Sequence, residues 1–156
     1  MEKVFATDRL KTLLPKVKAF VQNELLWLEA EHHSRSIAET YALLDGKRDK
    51  VKAAGLWGLH FPKNEGGWGL TLCEFAQISE ALALTPFYGH YAFNCQAPDI
   101  GNTEILFEFG TEEQKAAYLQ PLIRGDIRSC FSMTEPECPG SNPVWMNTTA
   151  VKVVAR

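Results

Sequence analysis

The chain is 156 residues long, 46% hydrophobic and 22% charged, with a formal net charge of -3. These values suit one globular domain with a core of its own, able to bury roughly two-thirds of the surface its unfolded chain exposes. They exclude a nucleic-acid or anionic-membrane binder that works through a basic face, and no stretch approaches the ~20 apolar residues of a bilayer span.

The elements fall in chain order as a run of helices. Pro15 suits a first helical turn, where its missing N–H costs nothing. After it, Val17, Phe20, Val21, Leu25 and Leu28 recur at helical spacing and form one apolar stripe, which predicts a helix ending near His32-His33-Ser34. A second helix is expected from about Ser36 to Leu44, and a third from Lys47 to Ala54, stopped by Gly55. The stretch from Gly55 to Leu70, dense in glycine and containing Pro62, predicts a loop with sharp turns. Thr71-Leu72-Cys73-Glu74 reads as a capping box opening a helix that carries Phe75, Ile78, Leu82 and Ala83 inward, with Pro86 and Gly89 breaking it. Pro98 to Phe109 is again helical, closed by Gly110. Thr111-Glu112-Glu113-Gln114 is a second capping box, and its helix is disturbed by Pro121 and ended by Gly125. After Arg128 the pattern changes: Cys130 to Thr134 looks extended, and the Val- and Thr-rich run from Val144 to Val154 favours strand.

The reactive residue types point to little chemistry by themselves. The four cysteines, Cys73, Cys95, Cys130 and Cys138, contain no C-x-x-C pair and no Cys/His cluster of zinc spacing. They read as reduced thiols of a cytosol-like compartment. The opening residues have too short an apolar run for a signal peptide. Cys95, beside Asn94 and Gln96, has no evident base, which argues against nucleophilic catalysis. Glu74, Glu80, Glu104 and Glu108 share helical spacing but lack the Glu-x-x-His pairs of a di-iron site, so no metal ligand is assigned. Gly66-Gly67-Trp68-Gly69 reads as a tight turn, because a phosphate loop needs a preceding strand and a G-K-[ST] ending. His32-His33 reads as a solvated helix end, and His60 and His90 as packing residues. Thr134-Glu135-Pro136-Glu137-Cys138-Pro139-Gly140-Ser141 is the most chemical stretch. Its prolines and glycine fix an irregular backbone that can turn N–H groups toward an anion or an electron-rich ring edge, and Thr134 and Ser141 add hydroxyls.

Several of these pieces, taken in order, resemble the acyl-CoA dehydrogenase family. Gly55-Leu56-Trp57-Gly58, then Pro62 and Gly66-Gly67-Trp68-Gly69-Leu70, is similar to the family's "G-L-x-G…P-x-x-x-G-G-x-G" loop. Gly110-Thr111-Glu112-Glu113-Gln114-Lys115 with Tyr118-Leu119 and Pro121-Leu122 resembles its capped "G-T-E-E-Q-K" helix start. Ser132-Met133-Thr134-Glu135-Pro136 followed by Gly140-Ser141-Asn142 resembles its flavin-contacting "T-E-P…G-S-[DN]" loop. The resemblance covers roughly residues 47 to 152, and Ala97-Pro98-Asp99-Ile100-Gly101-Asn102 is similar to the larger, long-chain-type members. Two departures stand out. The loop after T-E-P is one residue longer than the common T-E-P-G-A-G-S-D, and the ending Val151 to Arg156 lacks the usual D-G-D turn.

The resemblance implies a mainly α fold: an N-terminal helical bundle domain over residues 1–128, then the truncated start of a middle β domain over 129–156, contributing a short β segment. It implies an FAD-dependent enzyme oxidising acyl-CoA to trans-2-enoyl-CoA. Phe131, Ser132, Met133, Thr134 and Ser141 would face FAD, and Ser141, Asn94 and Ala97 would face the acyl-CoA. The catalytic glutamate of the family would lie beyond Arg156, so no catalytic residue is assigned and these residues alone are expected to be inactive. The implied partners are acyl-CoA and an electron-transfer flavoprotein or similar acceptor, with a homo-oligomeric full-length form in the cytoplasm or the mitochondrial matrix. The alternative reading is a non-catalytic helical module that binds a partner or an acyl chain.

Overall fold

A computed structural model describes residues 7–138, 140 and 142–152. Its first helix, α1 (Asp8–Phe20), opens at Thr7, whose hydroxyl accepts the N–H of Leu10, and continues through a π-helical stretch (Val21–Leu25) into α2 (Leu26–Glu29). Pro15 lies inside this helix rather than in its first turn. The N-cap that starts the helix sits at Thr7, well before the proline, so packing overrides the proline's local preference. The result is a long stripe: Leu10, Leu13, Val17, Val21, Leu25 and Leu28 are all at most 1% exposed. Fully burying an aliphatic side chain contributes about 1.5–3 kcal/mol.

Two of the expected helices are one. The helix α3 (Ile37–Ala53) begins with a capping box between Ser36 and Glu39 and runs straight through Asp45 and Gly46. Gly46 does not end the helix, which continues to Ala53. The helix α4 (Leu72–Leu82) starts at Thr71 with both capping-box bonds formed. It buries Ile78, Ala81 and Leu82, while Ala83 faces solvent at its end.

The glycine loop between these helices folds onto itself. The N–H groups of Gly67, Trp68 and Gly69 donate to the carbonyls of Pro62, Gly58 and Phe61. With those donors consumed, the loop has no cradle for phosphate. A Cβ on Gly67 would sit 2.1 Å from the Phe61 carbonyl oxygen, which is why only glycine fits there.

The remaining helices are α5 (Gly89–Ala92), α6 (Asp99–Phe109), α7 (Glu112–Gln114) and α8 (Gln120–Arg124). The Thr111–Gln114 capping box is formed as expected. Between α7 and α8 the chain stays helical through a π-helical stretch (Lys115–Leu119), and Pro121 sits in the first turn of α8, so it does not break the helix. The helix α1 packs on α4, and α3 packs on α5. Phe20, partly buried against this core, meets the buried Phe93 edge-to-face at 5.3 Å.

The expected β segment does not form among the described residues. Cys130 to Thr134 belongs to no helix or strand, and beyond it only an isolated antiparallel bridge joins Glu135 and Cys138. Pro143–Trp145 is a single 3-10 turn, residues 146–152 are irregular, and the end of the Val144 to Val154 run lies outside the described residues. A strand exists only when a neighbour completes its hydrogen-bond ladder, and no neighbouring strand is present among the described residues to do so. The fold is therefore helical throughout its ordered body.

Candidate functional site

The last turn of α8 and the turn after α5 are held together by a buried cation. Arg48 on α3 is 2% exposed. Its Nη2 donates to the side-chain oxygen of Asn94, and its guanidinium lies 5.2 Å from the centroid of the Trp57 ring. Asn94 in turn donates to the Leu122 carbonyl at 3.0 Å, and Trp57 Nε1 donates to the Ile123 carbonyl at 2.8 Å. Arg48 has no carboxylate partner among the described residues. The amide oxygen and the aromatic face are what it meets, and its Nη1 is buried without a partner among the described residues. Gly125 closes the cluster at φ +76°, where a Cβ would stand 2.4 Å from Arg48 Nη2 and 2.8 Å from the Trp57 ring. No periodicity in the sequence marks Arg48 for this role.

Asn94 itself adopts φ +56°, a left-handed conformation that asparagine tolerates better than most residues. It is 2% exposed with both polar ends engaged. It therefore reaches a ligand only through the segment it holds. That segment, 94–99, includes a cis Ala97–Pro98 bond and forms one wall of an open cavity of about 420 Å³. Tyr41 and Asp45 on α3, Tyr91, and Asp126 and Arg128 after α8 form the other walls. Ala97 lines this cavity. Two polar atoms of its lining, Gln96 Oε1 and Arg128 Nη1, are buried without a partner among the described residues.

From this wall the chain passes into the stretch singled out by its sequence. Ser129 is tied to α6 by Asp99 and Asn102. Phe131 then lies exposed over Gly101 of the same helix, 3.7 Å from where a glycine Cβ would be. Ser132, Met133 and Thr134 follow, all solvent-facing, and no backbone hydrogen bond engages Phe131 to Thr134 among the described residues. The structure thus brings Ala97, Phe131, Ser132, Met133 and Thr134 to the region of α6 and leaves Asn94 in the core behind it. Ser141 lies outside the described residues. Glu135, which carries no assignment from the sequence, organises its own neighbourhood. Its carboxylate accepts the N–H groups of Asn147 and Thr148 and the Thr148 hydroxyl. Those bonds, Thr148 first, hold it below the usual carboxylate range.

Reactive pairs elsewhere are quiet. Cys95 Sγ lies 3.4 Å from His60 Nδ1, so the thiol has a neighbour that the sequence did not reveal. Burial pushes the thiol far up and lowers His60 to about 4, which leaves both neutral and the thiol without a base able to ionise it. His90 pairs with Ser79 Oγ at 2.8 Å on a packed helix face. All four cysteines are free thiols. Among the described residues no His, Cys, Asp or Glu cluster could hold a metal ion, and no helix is long and apolar enough to cross a membrane.

Comparison with known proteins decides the lineage. Residues 7–126 match the family profile described as "Acyl-CoA dehydrogenase, N-terminal domain". The chain belongs to the acyl-CoA dehydrogenase family. It is 39% identical over 141 residues to mouse acyl-CoA dehydrogenase family member 10, covering 85% of this chain and 13% of that protein. It is 36% identical over 149 residues to human acyl-CoA dehydrogenase family member 11, covering 87% of this chain and 18% of that protein. A solved structure from Mycobacterium abscessus that bears the acyl-CoA dehydrogenase name superposes with a TM-score of 0.72 at 36% identity, over 88% of this chain and 37% of that one. The chain therefore spans a fifth or less of these two curated relatives, and the matched region is the helical domain of an oxidoreductase family.

Proposed function

We propose that these residues form the helical part of an FAD-dependent acyl-CoA dehydrogenase that oxidises acyl-CoA to trans-2-enoyl-CoA. The observation that carries the reading is the state of Phe131 to Thr134. This stretch is exposed and has no backbone hydrogen bond among the described residues. Open N–H donors beside the Thr134 hydroxyl fit the acceptor-rich edge of an isoalloxazine ring. When bound, FAD would accept the hydride of the dehydrogenation. This chain's residues would bind and orient it, through Phe131, Ser132, Met133, Thr134 and Ser141. Ala97 and Ser141 would face the acyl-CoA, and Asn94 would shape that wall from behind.

In this reading residues 1–128 are the helical domain and 129–156 begin a middle domain. The base would come from outside these residues, so the chain alone is inactive and takes up FAD weakly or not at all. Acyl-CoA is the substrate, an electron-transfer flavoprotein or similar acceptor the oxidant, and the complete enzyme a homo-oligomer in the cytoplasm or the mitochondrial matrix. The test is Thr134→Ala in the complete enzyme. Weaker FAD binding or a shifted flavin spectrum is expected, and an unchanged affinity and spectrum would overturn the assignment.

A second reading, a non-catalytic module that binds a partner or acyl chain, has one observation in its favour. Ile105 and Phe109 on α6 are 55% and 73% exposed and cover nothing among the described residues. Sedimentation tests this second reading. Self-association that Ile105→Glu with Phe109→Glu abolishes shows that this face seeks a partner, and a monomer stable at high concentration removes the module reading.

A further inference from the structure

The motif Ala97-Pro98-Asp99-Ile100-Gly101-Asn102 does more than open a helix. Asp99 is 3% exposed, and its carboxylate is fully used. Oδ1 accepts the backbone N–H of Ser129 at 2.8 Å and also the Ser129 hydroxyl, while Oδ2 accepts Nε2 of Gln96. One turn on, Asn102 Nδ2 donates to Ser129 Oγ at 2.8 Å. Between them Gly101 leaves the space over which the Phe131 ring lies. Three residues of one helical turn thus touch the chain at 129 and 131, about thirty positions away, immediately before the exposed stretch ending at Thr134.

We propose that Asp99, with Asn102 and Gly101, is a positioning clamp that fixes Phe131 to Thr134 against the helical domain. Asp99 suits this role because a carboxylate accepts two donors from one residue, and a charged acceptor makes the stronger bond. Its place in the first turn of α6 adds the favourable interaction of an anion with a helix N-terminus. Burial removes competing water, so the Ser129 N–H has no equally good alternative. The clamp's consequence for cofactor binding rests on the flavin reading of Phe131 to Thr134, whereas the clamp itself does not.

Nuclear magnetic resonance on the 156-residue chain tests it. Asp99→Ala should raise amide exchange at Ser129 at least about tenfold, the effect of losing one charge-assisted bond. It should also abolish the contact between the Phe131 ring and Gly101 and lower backbone order from 130 to 134. Asp99→Asn should restore all three. The new amide oxygen still accepts the Ser129 N–H, and Gln96 can flip to set its unpartnered Oε1 on the new N–H. Thr103→Val, which alters a buried α6 residue 2% exposed whose hydroxyl donates to the Ile100 carbonyl, should leave the stretch as it was. If Asp99→Ala does not fold, the half-buried Asn102→Ala removes one bond to Ser129 and should give a smaller rise in the same exchange rate. Unchanged Ser129 exchange together with an intact Phe131 contact in Asp99→Ala, or in Asn102→Ala in its place, overturns the clamp.

FAD titration of the same proteins separates the two claims. Where the wild-type chain takes up FAD, Asp99→Ala should weaken it and Asp99→Asn recover it. Equal affinity despite a released stretch overturns the positioning role. A clamp that responds as described in a chain that takes up no FAD stands as an anchor of the stretch, and the flavin reading is then decided separately by Thr134→Ala in the complete enzyme.

Discussion

Glu74 offers the sharpest test of how this fold is held. Its carboxylate is 2% exposed and joins two segments: it accepts from Arg9 and Thr7 at the start of α1, and from the Thr71 N–H at 2.8 Å in its own capping box. These partners, Arg9 foremost, lower it from 4.5 to about 2 against the opposing effect of burial. Each pH unit of such lowering is worth about 1.4 kcal/mol, which sets a ceiling of roughly 3.5 kcal/mol. The Arg9 side chain is 33% exposed, and solvent screening brings the expected value to roughly 1.5–2 kcal/mol. Because the folded pKa is depressed, this stabilisation is complete above pH 4.5 and is lost as pH falls through about 2. Glu74→Gln keeps an acceptor for the Thr71 N–H, since glutamine also serves in a capping box, but it loses the charge. Urea unfolding followed by helical circular dichroism at several pH values between about 7 and about 2.5 is the assay. The variant should be less stable at neutral pH by the stated amount, and the gap to wild type should close between pH 4.5 and the acid end. Glu24, Glu39 and Glu113 are also held low, so the wild-type curve alone falls for several reasons, and the difference between the curves isolates Glu74. A gap that stays constant with pH, or no gap at neutral pH, would refute the argument.

Other outcomes follow from the same geometry. Gly125→Ala adds the strain of a left-handed φ to a collision with Arg48 and Trp57, and should cost about 3 kcal/mol in urea unfolding. A loss below about 0.5 kcal/mol would mean that the Arg48 cluster gives way easily. Thiol titration at mildly alkaline pH should find Cys73 and Cys130 reactive and Cys95 silent until denaturant is added, because burial keeps its thiol protonated. Modification of Cys95 at the rate of Cys73 would show that His60 activates it after all.

Local rules with a short reach were the most legible part of the sequence. Thr71–Glu74 and Thr111–Gln114 announce helix starts because the bonds that make them span three residues. The stripe from Val17 to Leu28 announces a buried face because helical spacing repeats it. What depends on distant partners was hidden. Pro15 reads locally as a helix start, yet Thr7 begins the helix and packing carries it through. The gap between the helices expected at Ser36 to Leu44 and Lys47 to Ala54 is closed, and α3 runs through Asp45-Gly46. Among the candidate site residues, Thr134 stood out within a loop of unusual composition, and Met133 only through the family resemblance. The residues that hold that loop, Asp99 and Asn102, are separated from Ser129 by about thirty positions and gave no local sign. Arg48 and His60 were silent for the same reason: their roles are set by Asn94 and Cys95, far along the chain.

The helix α6 shows why such a pattern can mislead in one direction and inform in another. Its buried residues are polar, Asp99 and Thr103, while Ile105 and Phe109 stand in solvent. An amphipathic helix that settled its own burial within this chain would show the reverse. Asp99 is inside because the 129–134 stretch must be tied down, and a carboxylate surrounded by donors tolerates burial that a bare one would not. Ile105 and Phe109 are outside because nothing among the described residues covers them. The same helix therefore does two jobs on two faces. The inward face holds a loop by hydrogen bonds, which fixes geometry. The outward face offers apolar area, which supplies affinity without direction. A loop held from behind and flanked by open apolar surface is the arrangement expected of a wall to be completed by a ligand or a partner surface, and it makes Asp99 the residue on which the shape of that wall depends.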